Sequence, residues 1–508
     1  MTDFASRIAA AYATDGPALE LGRAMQAGEV HPTAVVQVPA AMCNRHGLIA
    51  GATGTGKTKT LQLMAEQLSA MGVPVFAADM KGDLSGLSRP GEASEGVTKR
   101  ATGLGIEWSP NGFPVTFLSL GGLGPGVPVR ATISEFGPQL LSKVMDANET
   151  QASSLSLVFR YADDNGLALL DLADLREVLK FLDSDEGKEE LKGIGGLSSA
   201  TTGVLLRKII ELEDQGGEAF FGEPELEVAD LLRTTPEGQG VISCLELAAV
   251  QDKPRMFSTF LMWLLAELFH DLPEVGDLDK PKLVFFFDEA HLLFSDASDA
   301  FLDQVAQTVR LIRSKGVGVF FVTQLPDDVP DTVLAQLGNR VQHALRAFTP
   351  RDAKALKAAV TTYPNTDDYD LEEDLTQLGT GEAMVTILSE RGAPTPVAWT
   401  RLRPPRSLMA AIEPEAVDRA AKDSSLWSKY AEEVDRESAR EKLAARMDAA
   451  AEAAAEPQPE PQAPAPKPEK KSKKKDDNVV LGYLKSREGR SMINTVTRGV
   501  FGLLKKRR

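Results

Sequence analysis

Eight consecutive residues constrain this chain more than any others: Gly51-Ala52-Thr53-Gly54-Thr55-Gly56-Lys57-Thr58. The pattern G-x-x-x-x-G-K-[ST] follows an apolar run, Gly47–Ala50, and opens a helical pattern, Lys59–Gly72. Glycines at these places let backbone N–H groups turn inward around phosphates, and the helix start adds the positive end of its dipole. Lys57 is placed to neutralise the β- and γ-phosphates of a nucleoside triphosphate, and the Thr58 hydroxyl to ligate Mg²⁺. Such a loop needs a buried strand before it and a helix after it, so an α/β fold is already implied.

The rest of the chain supplies that fold. Short runs at 73–79, 114–120, 240–247, 282–290, 317–324 and 382–388 are apolar nearly throughout rather than alternating. Strands buried on both faces read this way, and helical patterns such as 301–316 lie between them. The expectation is a RecA-like P-loop NTPase with a mostly parallel sheet. Residues 1–129 hold an N-terminal segment and the first half of this core, 130–237 a helical insertion, and 238–405 the second half. A helical extension over 406–455 and a Pro- and Lys-rich linker over 456–477 come next. A basic amphipathic helix is expected over 478–508, where Met492, Ile493, Val496, Val500, Leu503 and Leu504 share helical spacing.

Charge limits the partners. Lys plus Arg number 56 against 73 Asp plus Glu, for a net −17. Residues 467–508 hold 14 basic and 4 acidic residues, so residues 1–466 carry −27. A body that acidic does not coat nucleic acid non-specifically, and any grip on DNA must sit in a local basic feature or an assembled pore. Cys43 and Cys244 are the only cysteines and show no metal spacing, which points to a reducing compartment, the cytoplasm. No signal-peptide pattern is visible, and the apolar stretch 257–269 is too short for a bilayer.

Asp288 and Glu289 end the apolar run 282–290. Two carboxylates at the tip of a buried strand suit phosphoryl transfer to water, Asp288 holding Mg²⁺ and Glu289 deprotonating the attacking water. The pair is expected opposite the phosphate cradle, at a neighbouring strand tip. Gln324 closes the run 317–324, where it can sense the γ-phosphate if its strand lies beside that of Asp288. Asp79 ends another run, at 73–79, and suits either the water shell of the metal or the turn chemistry of Lys81-Gly82-Asp83.

These motifs together resemble the HerA–FtsK superfamily of ring-forming ATPases that pump DNA. The match rests on Arg45-His46 through Lys57, on Asp288-Glu289-Ala290-His291, on the helix ending Arg310 to Gly318, and on Val322 to Pro326. Asp79 to Ser88, the long insertion and the basic C-terminal helix are similar to the bacterial YjgR-like branch, the HerA-like helicases. The resemblance implies ATP and Mg²⁺ as cofactors and a homohexamer translocating on DNA. It makes Arg313 an arginine finger donated to a neighbour's nucleotide, with Arg310 as the fallback on the same helix. Arg45 is implied to touch nucleotide across the same boundary. Too few residues precede the P-loop strand for the nuclease-docking barrel of archaeal relatives, so a nuclease partner is not expected. Asp288 to His291 also spells a DEAH string, but the paired-arginine motif that DEAH-box helicases need is absent. The competing function is an ATPase acting on protein partners or at a membrane surface, its basic C-terminal helix serving as the contact.

Overall fold

The computed structural model describes residues 3–455 apart from 277, 295–298 and 435. Two units are distinguished, Met1–Ala449 and Ala450–Arg508. The first carries everything below. The linker and basic helix expected at 456–508 lie outside the described residues.

Twelve strands among the described residues form one sheet. In chain order they are β1 (Ala18–Gln26), β2 (Glu29–Pro39), β3 (Gly47–Ala50), β4 (Val75–Asp79), β5 (Val115–Leu120) and β6 (Val127–Val129). Then come β7 (Ile242–Glu246), β8 (Leu283–Phe287), β9 (Val317–Thr323), β10 (Asn339–Gln342), β11 (Glu382–Thr386) and β12 (Ala398–Leu402). The order across the sheet is β2-β1-β12-β11-β10-β3-β9-β8-β4-β7-β5-β6. From β10 to β6 every pairing is parallel, and from β11 to β2 every pairing is antiparallel. The mostly parallel α/β fold is therefore what the apolar runs implied. β1, β2, β6, β10 and β12 are not among those runs; of these, β1, β2 and β12 extend the sheet with an antiparallel flank.

Alternation explains why the parallel strands read as solid apolar blocks. Leu283, Phe285 and Phe287 of β8 enter one core, while Val284 and Phe286 enter the other. Val319 and Phe321 of β9 follow the first set, and Phe320 and Val322 the second. Both faces are thus buried, as parallel sheets require. Aromatic rings meet across strands, Phe286 on Phe320 at 5.2 Å and Phe76 on Phe285 at 5.0 Å. Burying each such side chain stabilises the fold by about 2–3 kcal/mol.

Helix Lys57–Ala70 covers one face with Leu61, Met64, Ala65 and Leu68. Helix Pro254–Asp271 covers the other with Phe257, Phe260, Trp263 and Leu264. Against that second face also pack helices between β6 and β7, among them Glu149–Asp164, Leu172–Asp183 and Ser199–Asp214. No helix among the described residues is long and apolar enough to cross a membrane.

Candidate phosphate and hydrolysis site

The site is assembled at the carboxyl ends of the parallel strands. β3 ends at Ala50, and the loop after it is pinned to its neighbours: Gly51 N–H donates to Thr323 O (3.2 Å) and Ala52 N–H to Ala344 O (2.8 Å). A Cβ on Gly51 would stand 2.5 Å from His343 Cβ, so only glycine fits. Gly56, at φ +116°, caps the following helix in a backbone conformation that side chains rarely adopt. The ammonium of Lys57 lies over the loop, donating to Ala52 O at 3.3 Å. Burial lowers its pKa, while the carboxylates of Glu289 and Asp288 pull it back up. Lysine and carboxylates therefore face a common space. Thr58 is half-buried in the first turn of the same helix.

The strand order corrects one expectation. Asp288 and Glu289 do not stand on the strand next to the P-loop strand, because β9 lies between β3 and β8. That insertion places Gln324, just past β9, in the middle of the site. It does lie beside the Asp288 strand, as its expected role required.

Asp288 and Glu289 are held very differently. Asp288 Oδ1 accepts from the N–H of Glu289 at 2.9 Å, and Oδ2 is buried without a partner. Burial, then the adjacent charge of Glu289, pushes the Asp288 carboxyl up to about 7. An orphaned buried oxygen next to a lysine-lined loop is what a divalent cation would satisfy, so the residues fit Mg²⁺. Glu289 has φ +50°, the left-handed region, at a cost of about 1–3 kcal/mol that the surrounding contacts must outweigh. Its two carboxylate oxygens accept from Lys81 Nζ and Gln324 Nε2, and His291 Nδ1 lies 3.3 Å from Oε2. Burial alone would raise the Glu289 pKa, but hydrogen bonds from Lys81 and Gln324 hold it below the ordinary value. Gln324 Oε1 is itself buried and unpartnered.

Lys81 and Glu246 escaped the sequence reading. Asp79 spends its carboxylate on the backbone N–H groups of Lys81 (3.1 Å), Gly82 (2.7 Å) and Leu84 (2.7 Å), so it does turn chemistry. That turn is what aims Lys81 across β4 and β8 at Glu289. Asp79 is in register with Glu246 on β7, and the two buried acids repel. Burial, then Asp79, pushes Glu246 to about 8, and burial likewise lifts Asp79 to about 6. Only the Lys81-Gly82 turn after a buried strand hinted at any of this.

Beside the P-loop helix, Gly56, Lys59, Thr60, Arg100, Gly381 and Arg403 line a cavity of about 320 Å³. It opens on the side of the cradle away from Asp288's strand.

The expected arginines are elsewhere. Arg45 ends the turn Ala40–Arg45 before β3, and Arg313 begins the turn Arg313–Lys315 before β9. β3 and β9 pair in parallel, so both arginines sit at the amino end of the sheet. Buried His46 reports their proximity. Its Nδ1 accepts from Val319 N–H at 3.0 Å, and burial, assisted by the charges of Arg313 and Arg45, depresses its pKa to about 4. At ~3.3 Å per residue, the seven residues of β9 put roughly 20 Å between that edge and the P-loop. Arg310 is exposed on the helix Asp299–Ile312 leading to the same edge. Lys57, Asp288, Glu289 and Gln324 thus come together, with Thr58 following Lys57 on the helix, and Arg45 and Arg313 stay apart from them.

Known proteins resemble this chain in sequence and in fold. A protein of Methanocaldococcus jannaschii described as a probable helicase is 33% identical over 154 residues, which span 28% of this chain and 28% of that protein. The fold is shared with the bacterial conjugative coupling protein TrwB. Its unbound form superposes with TM-score 0.52 and 15% identity, covering 80% of this chain and 94% of that one. TrwB with the ATP analogue ADPNP gives 0.52 and 16%, covering 80% and 95%. With ADP and Mg²⁺ it gives 0.51 and 16%, covering 80% and 93%. The helicase HerA-like C-terminal family matches residues 25–506. The chain belongs to that family and is a P-loop ATPase.

Proposed function

We propose that this ATPase is a Mg²⁺-dependent motor that works as a ring of its own copies, a hexamer by family resemblance, and moves along DNA. One observation carries the reading: phosphate cradle and carboxylates share one edge of the sheet, while both candidate arginine fingers lie roughly 20 Å away on the other. A copy cannot complete its own transition-state charge. A head-to-tail neighbour presenting its amino edge can, and repetition of that contact closes a ring.

Within the site the contacts support the following division of labour. Lys57 and the loop amides hold the β- and γ-phosphates. Magnesium, when bound, neutralises phosphate charge, and the hydroxyl of Thr58 and the open Oδ2 of Asp288 are the groups that would hold it. Glu289 takes the proton of the attacking water, and its low pKa keeps it ionised and ready to accept. Gln324, already bonded to Glu289, offers its free Oε1 toward the water. Arg313 of a neighbour, with Arg45 beside it, supports charge developing on the γ-phosphate. The cavity beside Gly56 and Lys59 has room for the nucleoside.

The second reading, action on protein partners or at a membrane surface, is favoured by the −27 carried by residues 1–466 and by the separate basic segment after them. DNA decides between them. The motor reading expects turnover that rises with protein concentration and again with DNA. Glu289→Gln should bind ATP and lower turnover by about 10²–10⁴-fold. Unchanged turnover in that variant would reduce the protein to a binding scaffold.

A further inference from the structure

An acidic protein that tracks along DNA needs a local cationic surface, and one stands directly beyond the P-loop's neighbouring strand. After β10 the chain emerges as Arg346-Ala347-Phe348-Thr349-Pro350-Arg351, all exposed. Phe348 is 82% exposed, a large apolar side chain held in water. Thr349 caps the helix Pro350–Thr361, with Asp352 closing the box, so that carboxylate is already occupied. Ala355, Leu356 and Ala359 face the core. The opposite face therefore presents Arg351, Lys354 and Lys357 and no carboxylate. Among the described residues Lys357 pairs loosely with Glu372 at 3.8 Å, whereas Arg346, Arg351 and Lys354 make no ion pair. Acids approach from two elements packed on this helix: the helix Leu371–Gln377, with Glu372, Glu373 and Asp374 in its first turn, on the Lys357 side, and the turn Pro326–Asp328. Asp328 is occupied by Thr323 Oγ1 (2.6 Å) and Leu325 N–H (2.9 Å), leaving Asp327 exposed.

We propose that Arg346, Phe348, Arg351 and Lys354 form a nucleic-acid grip, the cations on backbone phosphates and the Phe348 ring stacked on an unpaired base. Stacking is indifferent to sequence because every base has a π-face, and this suits a track rather than a target. The surface is also wired to the nucleotide loop. His343 donates its N–H to Ala50 O (2.7 Å), Ala344 O accepts from Ala52 N–H (2.8 Å), and the His343 ring meets Thr60 Oγ1 at 2.9 Å. Leu345, bonded to Leu375 O, anchors the chain before it turns outward. Three consecutive hydrogen-bonded residues, His343, Ala344 and Leu345, thus join the P-loop to the segment that carries Phe348.

The inference rests on the DNA-motor reading, and the test separates the two. Full-length protein is titrated with a fluorescent oligothymidine and with duplex DNA over a range of salt. Arg346→Glu/Arg351→Glu should weaken both by at least about tenfold and flatten the salt slope by about 0.7–0.9 per lost phosphate contact. Phe348→Ala should weaken the single strand about tenfold while leaving duplex within about twofold. Being so exposed, Phe348 can be cut back without disturbing the core if the charge reversal misfolds. Arg160→Glu/Lys192→Glu makes the same charge change in the segment between β6 and β7, at side chains 73% and 69% exposed, and should leave binding unaltered. If the natural chain binds DNA and both patch variants bind equally well, the patch is wrong and the motor reading survives. If the natural chain binds no DNA, both fall. Loss of self-association with DNA affinity retained would make the patch a subunit interface. Loss of binding to anionic vesicles without any DNA binding would make it a lipid surface. Either result overturns the proposal.

Discussion

The two ends of the same parallel strands do opposite electrostatic work. At the carboxyl ends, Lys57 faces Asp288 and Glu289, and one acid of the pair is kept ionised while the other is pushed toward neutrality. At the amino ends, Arg45 and Arg313 crowd a histidine so deeply buried that it stays neutral. Strand length fixes the distance between these ends, and no side-chain rearrangement spans it. In the proposed motor, the difference means that the arginine edge of one copy acts on the nucleotide held by its neighbour.

The largest effect expected from breaking this division is at Arg313. Arg313→Ala should lower turnover about 10³-fold or more with ATP affinity little changed, measured by steady-state hydrolysis and nucleotide binding. Arg310→Ala, on the same edge but further back along the helix, should do much less. Equal losses from both would leave the finger unassigned to either.

The next effect sharpens the carboxyl end. Lys81→Met removes the charge that counters burial of Glu289, so the carboxyl pKa should rise. The acid limb of the kcat/KM profile should then move to higher pH. A change in rate with an unmoved profile would mean that Lys81 only fills space.

The smallest effect concerns stability. Glu246 has its folded-state pKa raised to about 8, above the ordinary 4.5. Its contribution is therefore fully present below about pH 4.5 and is lost as pH rises through about 8, because the folded state resists ionisation more than the unfolded one. Glu246→Gln should raise Tm at pH 8 and change it little at pH 5. A uniform shift at both would point to packing instead.

How far the sequence alone reveals these features depends on the range of the interaction. Gly51 to Thr58, the Asp288-Glu289 pair and Gln324 are local patterns at the ends of apolar runs, and each stands at the carboxyl tip of its own strand, although β9 separates the carboxylate pair from the P-loop strand. β1 is hidden because Glu20 and Arg23 interrupt its apolar residues; the two pair with each other at 2.8 Å within the strand. Lys81 and Glu246 depend on β4 pairing with β8 on one side and β7 on the other, across more than 160 residues of chain. Nothing near Lys81 in sequence announces Glu289. The intervening position of β9 was likewise a matter of topology, which spacing does not encode.

Mixing two inactive variants tests the central claim most directly. Glu289→Gln keeps the arginine edge, and Arg313→Ala keeps the carboxylate edge. Combined in equal amounts and allowed to assemble, they should regain turnover, to about a quarter of the natural protein if copies mix at random around a head-to-tail ring. Turnover no greater than the average of the two alone would contradict the account, because each chain would then complete its own site.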